Sequence, residues 1–387
     1  MKPVVAHYKT GNYLHFTETW IYWQIQNLRA YDSVVYCHAV ENADIYPTDR
    51  VRVLGLPGDR LWPVKAWNKW IGRRTACERA LRADKPSVVH AHFGYSGYYF
   101  LPHKKKRRLP LVTTYYGSDL TKHVKSDARW VDRYRRLFEA GDRFLLEGPH
   151  MRRKLIELGC PAEKAQVQHL GIETEKIPFV PRRLAPGEPV KIFMSASFKE
   201  KKGIPYAVEA FGRVKRLHPK QPLQLTLLGD ASRAPGESSE KRKILDKIDE
   251  WKLRDSVTLL GYQPYPVFFQ ELYKHHLFLS PSVEAQNGDT EGGSPVSITE
   301  AAASGMPVLS TTHCDIPEVV LQGKTGYLTP ERDAEALAAA LEKLILRPED
   351  WEAMGRAARV HVEQEYDVRK QARRLESVYD DVVRRAA

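Results

Sequence analysis

Residues 281–307 read PSVEAQNGDTEGGSPVSITEAAASGMP, and the fold turns on how that stretch is read. Gly292-Gly293 lets backbone approach a partner closely, Ser294 is a good helix N-cap, and Pro295 suits the first helical position, where a missing N–H costs nothing. The helix so opened runs through Val296, Ile298 and the small Ala301 to Ala303. It stops at Gly305, with Pro307 just beyond. Its free amides face the loop that carries Asp289 and Glu291, and a helix start opened by glycines is suited to phosphate. Glu300, under two turns in, can accept two hydrogen bonds from a vicinal diol, and Glu291 on the loop can do the same for another polyol. Phosphate, ribose and sugar are then held by one short element. A capped amphipathic helix with surface glutamates accounts for the same residues without a ligand.

The loop, the two glutamates and the AAASGMPV continuation resemble the donor-site signature of retaining glycosyltransferases of family 4. That family has the GT-B fold, an α/β architecture of two facing Rossmann-like doubly wound domains with an interdomain cleft. It usually spaces its two glutamates by seven residues, whereas here the eight residues GGSPVSIT intervene. The resemblance implies that Gly292, Gly293, Ser294 and Pro295 meet the donor's diphosphate, Glu300 its ribose and Glu291 its sugar.

Composition fits such a protein. The 387 residues suffice for two domains, and 42% hydrophobic with 28% charged residues is ordinary for a soluble globular chain. PVVAHY at the start reads as a first strand rather than a signal peptide, and no apolar run approaches the roughly 18 residues of a membrane span. The cytoplasm is the expected location. Cys37, Cys77, Cys160 and Cys314 lack metal-site spacing and read as buried free thiols. Residues 1–180 hold 30 Lys+Arg against 18 Asp+Glu, so the whole formal net charge of +12 lies in the first half. Such one-sided charge suits a membrane surface, a phosphorylated acceptor or nucleic acid.

In that half, PVVAHY, a polar turn and a helix from about Thr17 (TETWIYWQIQNL) open an α/β unit. Ligands gather at the carboxyl ends of strands in such units, so the loop His15–Thr19, with Thr17 and Glu18, is expected beside the acceptor. A similar S-E-T-F run in the family agrees, and Thr17 as a plain helix cap is the alternative. Trp62, Trp67 and Trp70 alternate with Lys65, Lys69, Arg73 and Arg74, a pattern for either an anionic bilayer or a core helix with a basic outer face. Lys104 to Arg108 add a compact basic run. SVVHAHFGYSG places His90 and His92 on one strand face, and LPLVTTYYGSDL puts Tyr116, Gly117 and Asp119 at a strand's carboxyl end. Family members often have histidine where this chain has Tyr116. The resemblance implies that His92, Tyr116 and Asp119 face sugar or acceptor. Two histidines without a third ligand favour packing or substrate hydrogen bonds over a metal.

The run from Asp142 to Phe179, with Gly171-Ile172-Glu173, resembles the end of the family's first domain. The proline-rich Val180–Val190 reads as a connection. Beyond it, KIFMSASF is a new first strand whose loop FKEKKG brings Lys199, Lys201 and Lys202 toward the diphosphate. Family members usually pair an arginine with such a lysine, and this chain has Ser197 where the arginine is expected. One strand ends at Gly229, a donor-side candidate, in the manner of the family's L-x-G-x-G turn; at Tyr262-Gln263, the end of another, the resemblance implies contacts to the nucleobase, and in the family the Asp315–Val319 run is usually close to the donor. Expected domains are 1–180 for the acceptor, 181–365 for the nucleotide sugar, and 366–387 as a helix crossing back to the first.

The expected activity is transfer of a sugar from a nucleotide diphosphate sugar to an acceptor hydroxyl with retention, in polysaccharide, lipopolysaccharide or other glycoconjugate synthesis. Lys202, Glu291 and Asp119 are the catalytic candidates. No D-x-D motif is present, so no metal and no cofactor is expected. Expected partners are the donor, a glycan or lipid-linked acceptor, and an anionic membrane surface met peripherally through the basic domain. Nucleic acid is disfavoured because no recognised module for it appears. A nucleotide-sugar- or glycan-binding protein of the same fold without chemistry, which Ser197 and Tyr116 would suit, and a nucleotide-sugar epimerase are the alternatives.

Overall fold

The computed structural model describes residues 2–14, 18–54, 72–232 and 236–386. Thr17 and the tryptophans 62, 67 and 70 fall outside the described residues, so the readings placed on them are not taken further.

Two compact units are present. One comprises Met1–Ile172 with Asp367–Ala387, the other Glu173–Tyr366. Each is built on a parallel sheet, as the alternation of short apolar runs with amphipathic helices requires. In the first unit the strands lie in the order Val51–Val53, Asp32–Cys37, Val4–Tyr8, Val88–His92, Leu111–Tyr115, Arg143–Leu146, Ala165–Val167. In the second they lie in the order Val257–Gly261, Leu223–Leu228, Val190–Ser195, Leu277–Ser280, Val308–Thr311, Gly326–Thr329. All pairings in both sheets are parallel. In each sheet the order reverses beside the unit's first strand. At such a switch point two neighbouring loops part at the carboxyl ends and leave room for a ligand.

The fully buried strands Val88–His92 and Leu111–Tyr115 of the first sheet carry His90, His92, Thr113 and Thr114, whereas the central strands of the second sheet are mostly apolar. Val190, Ile192, Phe193, Leu225 and Phe278 are each 0% exposed, and each such side chain contributes roughly 1.5–3 kcal/mol on leaving water. The helix Val296–Ser304 packs differently, through small residues. Ala301, Ala302, Ala303 and Ser304 are buried, and a Cβ on Gly355 of the helix Trp351–Glu365 would lie 2.3 Å from Gly305 O.

The 180–190 stretch is not a loose tether. Arg182, 4% exposed, donates to Val180 O (2.6 Å), Leu272 O (3.1 Å) and Ser304 Oγ (3.2 Å), and Val180 N–H donates to Ser304 O. These bonds explain why residues 173–180 belong with the second unit: polar atoms that composition assigns to solvent are used inside it. The terminal helix Val368–Ala386 packs on the first unit. Gly171 permits its entry, since a Cβ there would meet Val368 Cα at 2.4 Å. Among the described residues no helix is long and apolar enough to cross a membrane.

The basic run 104–108 is largely matched within its own unit. Lys104 pairs with Asp142, while Lys106 (3.2 Å) and Arg107 (3.0 Å) pair with Glu78. Cys37, Cys77 and Cys160 are buried, Cys314 is half-buried, and all four are free thiols.

Candidate functional site

At the switch point of the second sheet, the loop after Val190–Ser195 carries Lys199, Lys201 and Lys202. The loop after Leu277–Ser280 carries Asp289 to Ser294. Gly203 allows them to meet: its φ is +61° and a Cβ there would lie 1.9 Å from Pro281 O. Val283 N–H donates to Lys201 O at 2.9 Å, fixing the contact.

The charged groups converge there. Lys202 Nζ lies 2.8 Å from Glu291 Oε1, and Ser282 Oγ donates to the same oxygen at 2.9 Å. Lys201 Nζ donates to Thr290 O (2.8 Å) and lies 3.3 Å from Asp289 and 3.8 Å from Glu291. Burial opposes charge on Glu291, but Lys202 and then Lys201 outweigh it and hold the carboxyl down at about 2. Burial likewise opposes charge on Lys201, and Glu291 and Asp289 overcome it, raising the ammonium's pKa. Lys199 is apart from this cluster, 3.7 Å from Glu237 with its side chain 45% exposed.

The helix begins one residue later than expected, at Val296, because Pro295 keeps an extended ψ of 129° and is itself the cap. Ser294 therefore caps nothing, and its Oγ is buried without a hydrogen-bond partner among the described residues. The helix ends as the sequence predicts, at Gly305 with φ +94°. Gly292 (φ +78°) donates to Thr290 Oγ1, and Gly293 O accepts from Asp315 N–H.

Glu300 is buried and accepts the Tyr265 hydroxyl. Burial pushes its carboxyl up to about 7 even though that bond favours the charged form. Gly229 donates to Gly261 O (2.8 Å). Tyr262 is exposed, and Gln263 donates to Leu260 O (2.6 Å), which leaves both on the surface beside the strand ends.

The loop holding Glu291 has a support that the sequence reading did not single out. Glu291 N–H donates to His313 Nε2 (3.1 Å), and His313 Nδ1 lies 2.7 Å from Glu331 Oε1. The available signal was position: His313 lies two residues before the Asp315–Val319 run.

In the first unit, Glu18 pairs with Lys9 at 2.8 Å. Asp119 follows the strand Leu111–Tyr115. It is buried, one carboxylate oxygen accepts Gly94 N–H (2.8 Å), the other accepts Tyr116 N–H (3.1 Å), and burial pushes the carboxyl up to about 6. Its oxygens tie the turn at Tyr116 to the start of the 94–107 helix.

The histidine pair is a trio. Parallel register sets His7 opposite His90, and the ligating atoms of His7, His90 and His92 lie within 4.8 Å of one another, close enough for a metal ion. Hydroxyls already meet three of the six ring nitrogens. His90 meets Tyr379 (2.7 Å) and Thr114 (2.6 Å), His92 Nδ1 meets Tyr116 (2.7 Å), and His7 Nδ1 lies 3.1 Å from His92 Nε2. The trio contains no anionic ligand to offset a buried divalent charge.

Residues 177–361 match the model of glycosyl transferases group 1, and residues 22–176 that of glycosyltransferase family 4. The amylovoran biosynthesis glycosyltransferase AmsK of Erwinia amylovora is 35% identical over 76% of this chain and 70% of its own length. The chain is a group 1 glycosyltransferase of family 4. A second relative of this glycosyltransferase, the putative colanic acid biosynthesis glycosyltransferase WcaL of Salmonella typhimurium, is 31% identical over 79% of the chain and 73% of its own length. In fold the glycosyltransferase is similar to Anabaena Alr3699/HepE in complex with UDP, with a TM-score of 0.78, 15% identity and coverage of 98% and 100% of the two chains. The architecture is GT-B.

Proposed function

We propose that the glycosyltransferase moves a sugar from a nucleoside diphosphate sugar to a glycan or lipid-linked acceptor hydroxyl, with retention of configuration and without a metal. The observation that carries this reading is the pairing of Lys201 and Lys202 with Glu291 beside the glycine-opened start of the 296–304 helix.

The chief demand of such a reaction is to stabilise a departing diphosphate, and fixed cations and amides serve it without reorganising. The two ammonium groups rest on carboxylates. A diphosphate would take them over, with the Gly293 and Ser294 amides and the unpartnered Ser294 hydroxyl completing its shell. Glu291, released from Lys202, would accept hydroxyls of the sugar, and Glu300 those of the ribose. Lys201, already inside the cluster, would stand in for the arginine absent at Ser197. Gly229, Tyr262 and Gln263 would border the base, and Glu18, His92 and Tyr116 the acceptor. The acceptor's proton would leave on the departing phosphate oxygen, so no general base is assigned.

Polysaccharide synthesis is the pathway suggested by the names of AmsK and WcaL. A cytoplasmic place at a membrane's inner face is supported by the basic excess of residues 1–180. It is weakened by the internal pairing of Lys104, Lys106 and Arg107.

Thermal-shift screening of UDP-, GDP- and ADP-sugars identifies the donor, and NMR of the product's anomeric centre reports its configuration. Lys202→Ala should lower turnover by about two orders of magnitude. Turnover within twofold of the parent would remove Lys202 from the mechanism.

A further inference from the structure

Lys202 and Ser282 hold the Glu291 carboxylate itself, and the main chain that carries it has a separate hold. Inside the loop, Gly292 has φ +78° and contributes no side chain to anchor it. The anchor comes from elsewhere in the same unit. His313, 2% exposed, follows the strand Val308–Thr311, and its Nε2 receives the Glu291 main-chain N–H at 3.1 Å. Its Nδ1 lies 2.7 Å from Glu331 Oε1, and the second oxygen of Glu331 accepts Glu284 N–H at 2.7 Å. Glu331 thus grips both the ring and the start of the loop that the ring holds.

The tautomer follows from the partners. Burial disfavours a charged ring, but the Cys314 sulfur and the Glu331 carboxylate outweigh it and push the pKa up to about 10. Geometry argues the other way: the Glu291 N–H needs a lone pair on Nε2, which also lies 3.2 Å from Cys314 Sγ, and an imidazolium has none, so that hydrogen bond belongs to the neutral ring with its proton on Nδ1 facing Glu331.

We propose that His313 and Glu331 are a positioning pair: through the Glu291 main chain they aim the Glu291 carboxylate at the donor's sugar. This rests on the reading of Glu291 as a sugar contact. Neither residue touches the donor. A displacement of about 1 Å at a contact group costs up to roughly a hundredfold in rate, so loss of the anchor should be felt in turnover.

The test compares His313→Ala, His313→Gln and Glu291→Gln in the full chain, using UDP-, GDP- and ADP-glucose and the matching diphosphates as probes. Hydrogen exchange at the Glu291 amide needs no ligand, and should quicken at least tenfold in His313→Ala and return toward the parent in His313→Gln, whose amide can both accept and donate. With the best-bound probe, His313→Ala should lower donor hydrolysis by on the order of tenfold to a hundredfold. Affinity for the free diphosphate should stay within twofold. Unchanged exchange and hydrolysis in His313→Ala, or equal losses of diphosphate affinity and hydrolysis, overturn the proposal. If Glu291→Gln hydrolyses the probe at the parent rate, the reading of Glu291 itself fails. Impairment of Glu291→Gln without impairment of His313→Ala sinks the positioning pair alone.

Discussion

The hydroxyl of Tyr265 donates to Oε1 of Glu300, so the carboxylate read as the ribose contact already has a partner, and that partner's ring is half exposed. A diol would have to share or replace the phenol. Burial raises the Glu300 carboxyl to about 7, and the protonated form can accept less from a diol than the carboxylate. Calorimetry with UDP should therefore show affinity falling between pH 8 and pH 6. Tyr265→Phe removes the bond that favours the charged form and should move the inflection to higher pH. Glu300→Ala supplies the reference for the ligand's own titration. Parallel profiles in parent and Glu300→Ala would remove Glu300 from ribose binding.

Acid should loosen the first unit through its histidines. Burial lowers His7 to about 3 and drives His90 and His92 well below the ordinary value of 6.5. The unfolded chain binds these protons below about pH 6.5 and the folded unit does not, so stability is complete above that pH and declines as pH falls toward 3. Each proton steepens the dependence by about 1.4 kcal/mol per pH unit. His7→Leu should make the slope of urea-unfolding free energy between pH 6 and pH 4.5 shallower by up to one proton. An unchanged slope would mean that His7 takes up its proton in the folded state.

Gly203→Ala tests the junction of the two donor-side loops. The substitution strains a φ of +61° and drives a methyl group against Pro281 O. A loss of roughly 1–3 kcal/mol is expected, with donor turnover falling as the lysine loop backs away. A melting temperature and turnover equal to the parent's would show that the loops need not touch.

Lys201→Ala and Lys199→Ala separate the two cations that sequence could not rank. Lys201 is packed among Asp289, Thr290 and Glu291, whereas Lys199 is half exposed beside Glu237. Turnover should drop at least tenfold in the first variant and change less than twofold in the second. The reverse order would reassign the stand-in for the missing arginine.

What could be read from the chain alone was mostly local. Gly305 and Pro307 marked a helix end that lies where expected, because a left-handed residue followed by proline leaves few other conformations. The start slipped by one, since Pro295 is compatible with either the cap or the first turn and tertiary packing chose. Long-range register was invisible: His7 and His90 are paired strand neighbours, yet no spacing rule links residues so far apart. Arg182 misled because proline and charge suggest solvent, while its guanidinium finds three acceptors inside the unit. His313 lacked any motif of its own, and its role depends on a main-chain N–H that side-chain patterns do not encode.

The 368–386 helix supplies Tyr379 to His90, Asp381 to Arg143 and Asp380 to Tyr31, all within the first unit. During translation, then, residues 1–172 emerge with one flank bare, and everything from 173 to 366 is made before the covering segment arrives. Maturation of the opening domain is thereby postponed until residues 368–386 have been made, and a chain cut short anywhere before them lacks the segment that closes its first unit.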